Sequence, residues 1–181
     1  MTRPIAFLLM LGFEFTAAAS SGQLPVHPTL KIFINEVEPG VMSSPQYCTL
    51  VFADHHFHSE QADIRQGERT DRKVYEGQLS ENDWNDLVAI IDSEAFRDLK
   101  VPRTVPPLVM QDTHPYTISV ARDDNFQNME FLDQKSLKPY EAQIKPLLHW
   151  WKSLRKRHTP ESSAPPDPRC KLDSAHVVFA Q

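Results

Sequence analysis

The chain has 181 residues, with 19 Lys and Arg against 24 Asp and Glu and a formal net charge of -5. So mildly acidic a chain lacks the basic surface that phosphate contacts demand, and no nucleic-acid partner is expected. The five glycines are scattered and the two cysteines lie far apart, so there is no phosphate-cradling glycine loop and no C-x-x-C pair.

The first residues read as a secretory signal peptide. Arg3 supplies the positive start, residues 5–13 are apolar, and Ala17, Ala18 and Ala19 are small residues suited to cleavage. Glu14 is an unusual intrusion in such a segment. The predicted cut after Ala19 removes one residue of each sign, Arg3 and Glu14, and leaves the charge unchanged. No Cys stands at the cut to carry a lipid anchor. No later apolar run approaches membrane-spanning length, so no transmembrane helix is expected in the mature chain. The expected address is the periplasm or the extracellular medium. The remaining length suits one ordinary domain with its own core.

Residues 20–29 form a polar leader with Pro25 and Pro28. Residues 30–37, LKIFINEV, alternate and predict a first strand. Pro39-Gly40 ends it, and Ser43-Ser44-Pro45 extends the loop. Residues 47–53, YCTLVFA, predict a second strand, Asp54-His55 a turn, and residues 56–63 a returning third strand. Residues 64–73 are polar and charged around Gly67 and read as an exposed loop. Val74 and Tyr75 suit a further strand, in which Gly77 allows a bulge or a close approach.

That strand runs straight into an amphipathic helix. Ser80 is the predicted N-cap, with Asp83 at the capping-box position and Leu79 and Trp84 as a hydrophobic staple. Glu81, Asp83 and Asp86 place negative charge near the positive end of the helix dipole. Trp84, Leu87, Val88, Ile91 and Ala95 form one apolar stripe. Residues 101–115 carry Pro102, Pro106, Pro107 and Pro115 and cannot form a helix or a central strand. Residues 116–121 and 126–132 predict a second hairpin around a turn at residues 122–125. Leu137, Tyr140, Ile144, Leu147, Trp151 and Leu154 mark a second helix, with a kink or restart expected at Pro146. Lys152, Arg155, Lys156 and Arg157 crowd its last turn.

The element order β-β-β-β-α-β-β-α predicts an α+β fold. Five to six antiparallel strands form one sheet, with both helices on one face. This domain is expected over residues 30–158, followed by a Pro-rich linker and tail over residues 159–181. His176-Val177-Val178-Phe179-Ala180 reads as a short strand within that tail. Residues 47–60, the segment V-Y-E-G-Q-L-S with its capped helix, and Asp112 before the strand at Tyr116 together resemble uncharacterised secreted bacterial domains of unknown function. The resemblance covers residues 47–154. It implies an α+β fold and an extracytoplasmic setting, and it implies no activity.

The chemistry-bearing candidates are few. Alternate strand residues share a face, so Asp54, His56, His58 and Glu60 can point the same way. An H-x-H pair with a carboxylate can hold a divalent metal such as zinc or copper, with His56, His58 and Glu60 as ligands. The competing reading is a solvated hairpin tip. There is no G-x-S-x-G elbow and no H-E-x-x-H, so no catalytic residue and no cofactor are assigned. Asp112 is either an acid or an ordinary turn residue. The basic run from Lys152 to His158 suits an anionic membrane or acidic partner, or simply ends a helix. Trp150 is either an exposed contact residue or the cover of a sheet edge.

Cys48 and Cys170 are expected to pair in an oxidising compartment, folding the tail back over the domain and holding residues 176–180 near a sheet edge. The alternative is two unpaired thiols. The leading functional expectation is a non-enzymatic extracytoplasmic domain that binds an unknown protein or cell-envelope partner. A metal-binding protein and a hydrolase with a noncanonical site are the alternatives.

Overall fold

The first strand of the chain becomes an interior strand of the sheet. The computed structural model describes residues 29–101, 114–123, 125–157 and 160–171. Its strands are β1 (Leu30–Val37), β2 (Ser44–Phe52), β3 (His56–Arg65), β4 (Glu68–Gln78), β5 (Tyr116–Arg122) and β6 (Asn125–Phe131). Its helices are α1 (Glu81–Ile91), α2 (Glu94–Arg97), α3 (Gln134–Leu137) and α4 (Glu141–Arg155). The strands form one antiparallel sheet in the order β4-β3-β2-β1-β5-β6. This is the expected α+β architecture, with the two longer helices on one face.

Register decides what each face carries. Ile32, Ile34 and Glu36 of β1 share the helix-covered face, and their cross-strand partners are Val51, Thr49 and Tyr47 on β2 and Val120, Ile118 and Tyr116 on β5. The apolar members of this set meet Leu87 and Ile91 of α1, Phe96 of α2, and Ile144, Leu147, Trp151 and Leu154 of α4 in the main core. Each such fully buried side chain contributes about 1.5–3 kcal/mol from area removed from water. On the opposite face Phe33, Leu50 and Phe52 form a smaller cluster with Cys48 and Cys170.

The α1 start follows its sequence signals. Ser80 Oγ accepts the Asp83 backbone N–H at 3.2 Å, and Leu79 is buried beneath the turn. Gly77 answers to a close approach: a Cβ there would lie 2.9 Å from the Phe57 ring. Gly40 is demanded by the β1–β2 loop, where a Cβ would fall 1.7 Å from the Ser43 carbonyl oxygen. Trp84 is only half-buried, its ring stacked on His55 at 4.2 Å between centroids. Ala95 is exposed and Phe96 takes the core position, because α1 stops at Ile91 and α2 restarts the helical phase.

Two expectations are corrected. Residues 64–73 are not a loop; they belong to the paired ends of β3 and β4, turning through Gln66 and Gly67 at φ 53° and 84°. Two consecutive left-handed residues are the signature of a tight hairpin turn. The strand was hidden because this end of edge strand β4 is polar on both faces. Next, the second helical segment is not one helix. A 3-10 turn at Lys138–Tyr140, begun around Pro139, separates α3 from α4, and α4 then continues through Pro146. Pro146 faces solvent, where carbonyls of the preceding turn can tilt toward water. Of the two readings of Trp150 the covered one holds, though between helices rather than at a sheet edge: it is buried, and its Nε1 donates to the Asp83 carbonyl at 3.1 Å, joining α4 to α1.

The predicted signal peptide with its cut at Ala19, the leader, Asp112 and the strand at His176 to Ala180 lie outside the described residues. Among the described residues no helix is long and apolar enough to cross a membrane.

Candidate functional site

Glu36 is a charge in a core register. The alternation that sends Ile32 and Ile34 under the helices sends Glu36 there too, and it is fully buried. Burial alone would push its carboxyl toward the neutral form. That cause is the largest single one, yet the Tyr116 hydroxyl, the charges of Lys152 and Arg155, and His114 together outweigh it and hold the carboxyl below its usual range. Arg155 Nη1 donates to Glu36 Oε2 at 2.6 Å, His114 Nε2 lies 3.0 Å from Oε1, and Lys152 Nζ lies 3.7 Å from Oε1. Burial and the neighbouring Glu36 carboxylate push the Tyr116 hydroxyl upward, so it stays protonated.

Arg155 links this network to an open cleft. Its guanidinium carbon sits 3.3 Å from the centroid of the Tyr47 ring and 4.8 Å from that of Trp151. Beyond it a cleft opens between the end of α4, which packs on β1 and β2, and the same face of β3 and β4. The cleft measures about 710 Å³. Tyr47, Phe57 and Tyr75 form its floor, and Lys152, Arg155, Lys156 and Arg157 rise along one wall. The run of cations at the end of the helix is thus the wall of a concavity.

The cations differ in what they can offer. Arg155 is committed to Glu36. Arg157 grips both Asp83 oxygens at 2.5 Å and, as the largest cause, draws the Asp83 carboxyl down to about 2. Lys152 faces Glu36 loosely and keeps 47% of its side chain exposed. Lys156 is exposed, with no ion-pair partner among the described residues.

The predicted metal face lies on the other side of the sheet. His58 and Glu60 are brought together, with Nε2 and Oε1 3.0 Å apart. The His58 Nδ1 lies 3.1 Å from Glu76 Oε1, so both ring nitrogens face carboxylates. Burial is the largest influence on His58 and opposes its charge, but the bonds to Glu60 and Glu76 prevail and raise its pKa. With a carboxylate against each ring nitrogen, neither lone-pair position is open to a metal. Glu60 is also fully engaged: Arg69 Nη2 donates to Oε2 at 2.9 Å, and the Asp167 backbone N–H donates to Oε1 at 2.6 Å. His56 is half-exposed and stacks on Phe52 at 5.7 Å. Among the described residues the group with three ligand atoms within 4.8 Å of one another is Glu36, Glu38 and His114. Arg155 and Lys152 already hold the place a cation would take there.

Asp167 belongs to a strap, residues 160–171, that wraps the β4 edge. Ser162 N donates to the Val74 carbonyl at 2.7 Å, and Glu161 bridges Tyr75. Ser162 Oγ donates to Glu76 Oε2 at 3.1 Å. The strap ends where Cys170 is bonded to Cys48, with Cα atoms 5.6 Å apart. The tail does fold back and cover an edge strand, and among the described residues Glu161 and Ser162 make that contact.

Sequence reasoning missed the network of Glu36, His114, Tyr116 and Arg155. One signal was available: an acid in phase with Ile32 and Ile34 must be buried and must find a cation. No known family model matches this chain, and neither does any curated protein sequence.

Proposed function

We propose that the protein is an extracytoplasmic, non-enzymatic binding domain that takes a protein or cell-envelope partner in the cleft beside α4. The observation that carries this reading is the cleft itself: an aromatic floor beneath Lys152 and Lys156, two lysines not consumed by the fold's strong ion pairs. Its size falls in the range of ordinary ligand pockets, roughly 300–1,000 Å³. The neighbouring ionisable groups are locked rather than poised for proton transfer, since Glu36 is held ionised and Tyr116 protonated. The disulfide is compatible with an oxidising compartment.

The test compares envelope extract passed over disulfide-intact wild type and over the Lys152→Glu/Lys156→Glu variant. A component retained by the wild type, lost on the variant, and showing the same difference once purified supports the reading. Identical retention by both proteins, or none by either, overturns it. The metal alternative at His56, His58 and Glu60 requires His58 to leave both carboxylates. Metal analysis of tag-free protein, with and without His56→Ala/His58→Ala, decides it: a stoichiometric metal lost in the variant supports this alternative.

A further inference from the structure

We infer that the cleft's ligand is a small anionic amphiphile, its acidic head held between Lys152 and Lys156 and its apolar chain laid over Tyr47 and Tyr75. This inference rests on the cleft being a binding site and adds the class of ligand.

Positions 152 and 156 are one helical turn apart, so their side chains rise from the same side of the α4 end. Like charges at that spacing repel, and an anion between them removes the repulsion. The negative end of the helix dipole lies beside them and tolerates the cations. Lys152 also faces Glu36 at 3.7 Å, but Arg155 holds that carboxylate more closely, at 2.6 Å, and Lys156 has no ion-pair partner among the described residues. The two arginines cannot serve in their place. Arg155 is held by Glu36 at 2.6 Å with only 17% of its side chain exposed, and Arg157 is held by both oxygens of Asp83. The cleft therefore has room for one compact acidic group at one end.

The floor sets the rest of the ligand. Tyr47 on β2 and Tyr75 on β4 are half-exposed rings on the same face of the sheet, staggered across β3, where Gln61 pairs with Tyr47 and Ser59 with Tyr75; Arg155 covers one face of the Tyr47 ring. Phe57 and Leu154 back them from the core side. Between the rings lie Ser59 and the Gln61 carboxamide, and Glu38 and Glu60 also reach the lining, Glu60 bound by Arg69 and Glu38 beside Arg155. Ser59 Oγ is itself occupied, donating to the Cys48 carbonyl at 3.2 Å and lying 2.9 Å from Thr49 Oγ1. The Tyr75 face and the buried rings behind it give the floor an apolar strip on which a flexible acyl or aryl chain can lie. Pro160, at the start of the strap, closes the far side. A carboxylate and a phosphodiester would both satisfy the lysines, so the head group has two sources, a free fatty acid or a lysophospholipid.

The test uses the fluorescent fatty acid 11-(dansylamino)undecanoate on the intact, disulfide-bonded protein. The expected result is saturable binding at one site with a blue-shifted emission. The uncharged primary amide of the same probe should bind at least about tenfold more weakly, as should the acid to Lys152→Gln/Lys156→Gln, because each charged hydrogen bond is worth a factor of about ten or more. Lys156→Glu alone, at an exposed position outside the Glu36 network, provides a variant whose fold is not at risk. Displacement by palmitate and by lysophosphatidylglycerol, run separately, distinguishes the two head groups. Equal binding of acid and amide, equal binding by wild type and both lysine variants, or no saturable binding overturns the inference. If the probe fails while charge-sensitive envelope capture persists, this inference alone falls; if both fail, the reading beneath it falls too.

Discussion

Arg155 donates to Glu36 across 2.6 Å while its guanidinium covers the Tyr47 ring. One arginine thus neutralises a carboxylate under the helix layer and walls the cleft outside it. Removing it leaves Glu36 buried with only weaker partners.

Arg155→Ala is accordingly expected to cost about 3 kcal/mol, the lower end of the range for breaking a buried ion pair, because Lys152, His114 and Tyr116 remain. The double variant Glu36→Gln/Arg155→Ala should recover much of that loss. Urea unfolding of the four proteins of this double-mutant cycle provides the check. Additive effects within about 0.5 kcal/mol would mean the two residues are not coupled.

The tryptophans should respond unequally. Trp151 is fully buried with its Nε1 donating to Thr49 Oγ1 at 2.8 Å, and Trp151→Ala should cost about 3–5 kcal/mol. Trp84 is half-buried against His55, so Trp84→Ala should cost about 1–2 kcal/mol, below the range for a fully buried ring. Chemical denaturation ranks them directly, and a larger loss at Trp84 would contradict the packing described.

Stability should fall on the alkaline side through His58. Its folded-state pKa is raised, so its contribution is fully present below the unfolded value of about 6.5 and fades as pH climbs through the folded value. Asp83, Glu60 and Asp167 behave in the opposite sense, since their folded values are depressed and their contribution disappears as pH falls through those values. Thermal melts across pH for wild type and His58→Gln test this: the variant should lose the alkaline slope and keep the part of the acid slope that comes from Asp83, which Arg157 and Ser80 hold down. A wild-type curve level from about pH 6 to about pH 9 would refute it.

Cys48→Ser/Cys170→Ser should lower stability by up to about 4–5 kcal/mol in the chain-entropy description of a long loop, with residues 160–171 becoming the first site of proteolysis. Peptide mapping without reductant should recover the Cys48–Cys170 pair from the wild type. Free thiols at both positions would remove the anchor of the strap.

The sheet was legible where one face is apolar and the other is not. β1, β5 and the start of α1 have alternation, turn residues or a cap that only one structure satisfies. β4 before Val74 was not legible, because an edge strand solvated on both faces carries no alternation to read. The site was legible only in pieces. The basic wall is visible as a charge run, but its partners sit on β1 and β5, and a linear sequence does not show which buried acid meets which cation. The pairing of His58 with Glu60 was foreseeable from alternation. The arrival of Asp167 and the placing of Glu76, which convert that face into a closed hydrogen-bonded cluster, depend on the path of the strap and on β3–β4 register.

The Cys48–Cys170 cross-link also imposes an order of events. Its ends are 122 positions apart, so it cannot close until β2 and everything up to the strap has emerged. Throughout that interval the β2 thiol has no partner in its own chain, and a premature oxidant can join it only to a thiol of another molecule. Mixed disulfides of unfinished chains are thus the by-product of hurried oxidation, and the intramolecular bond is a timestamp of completed assembly.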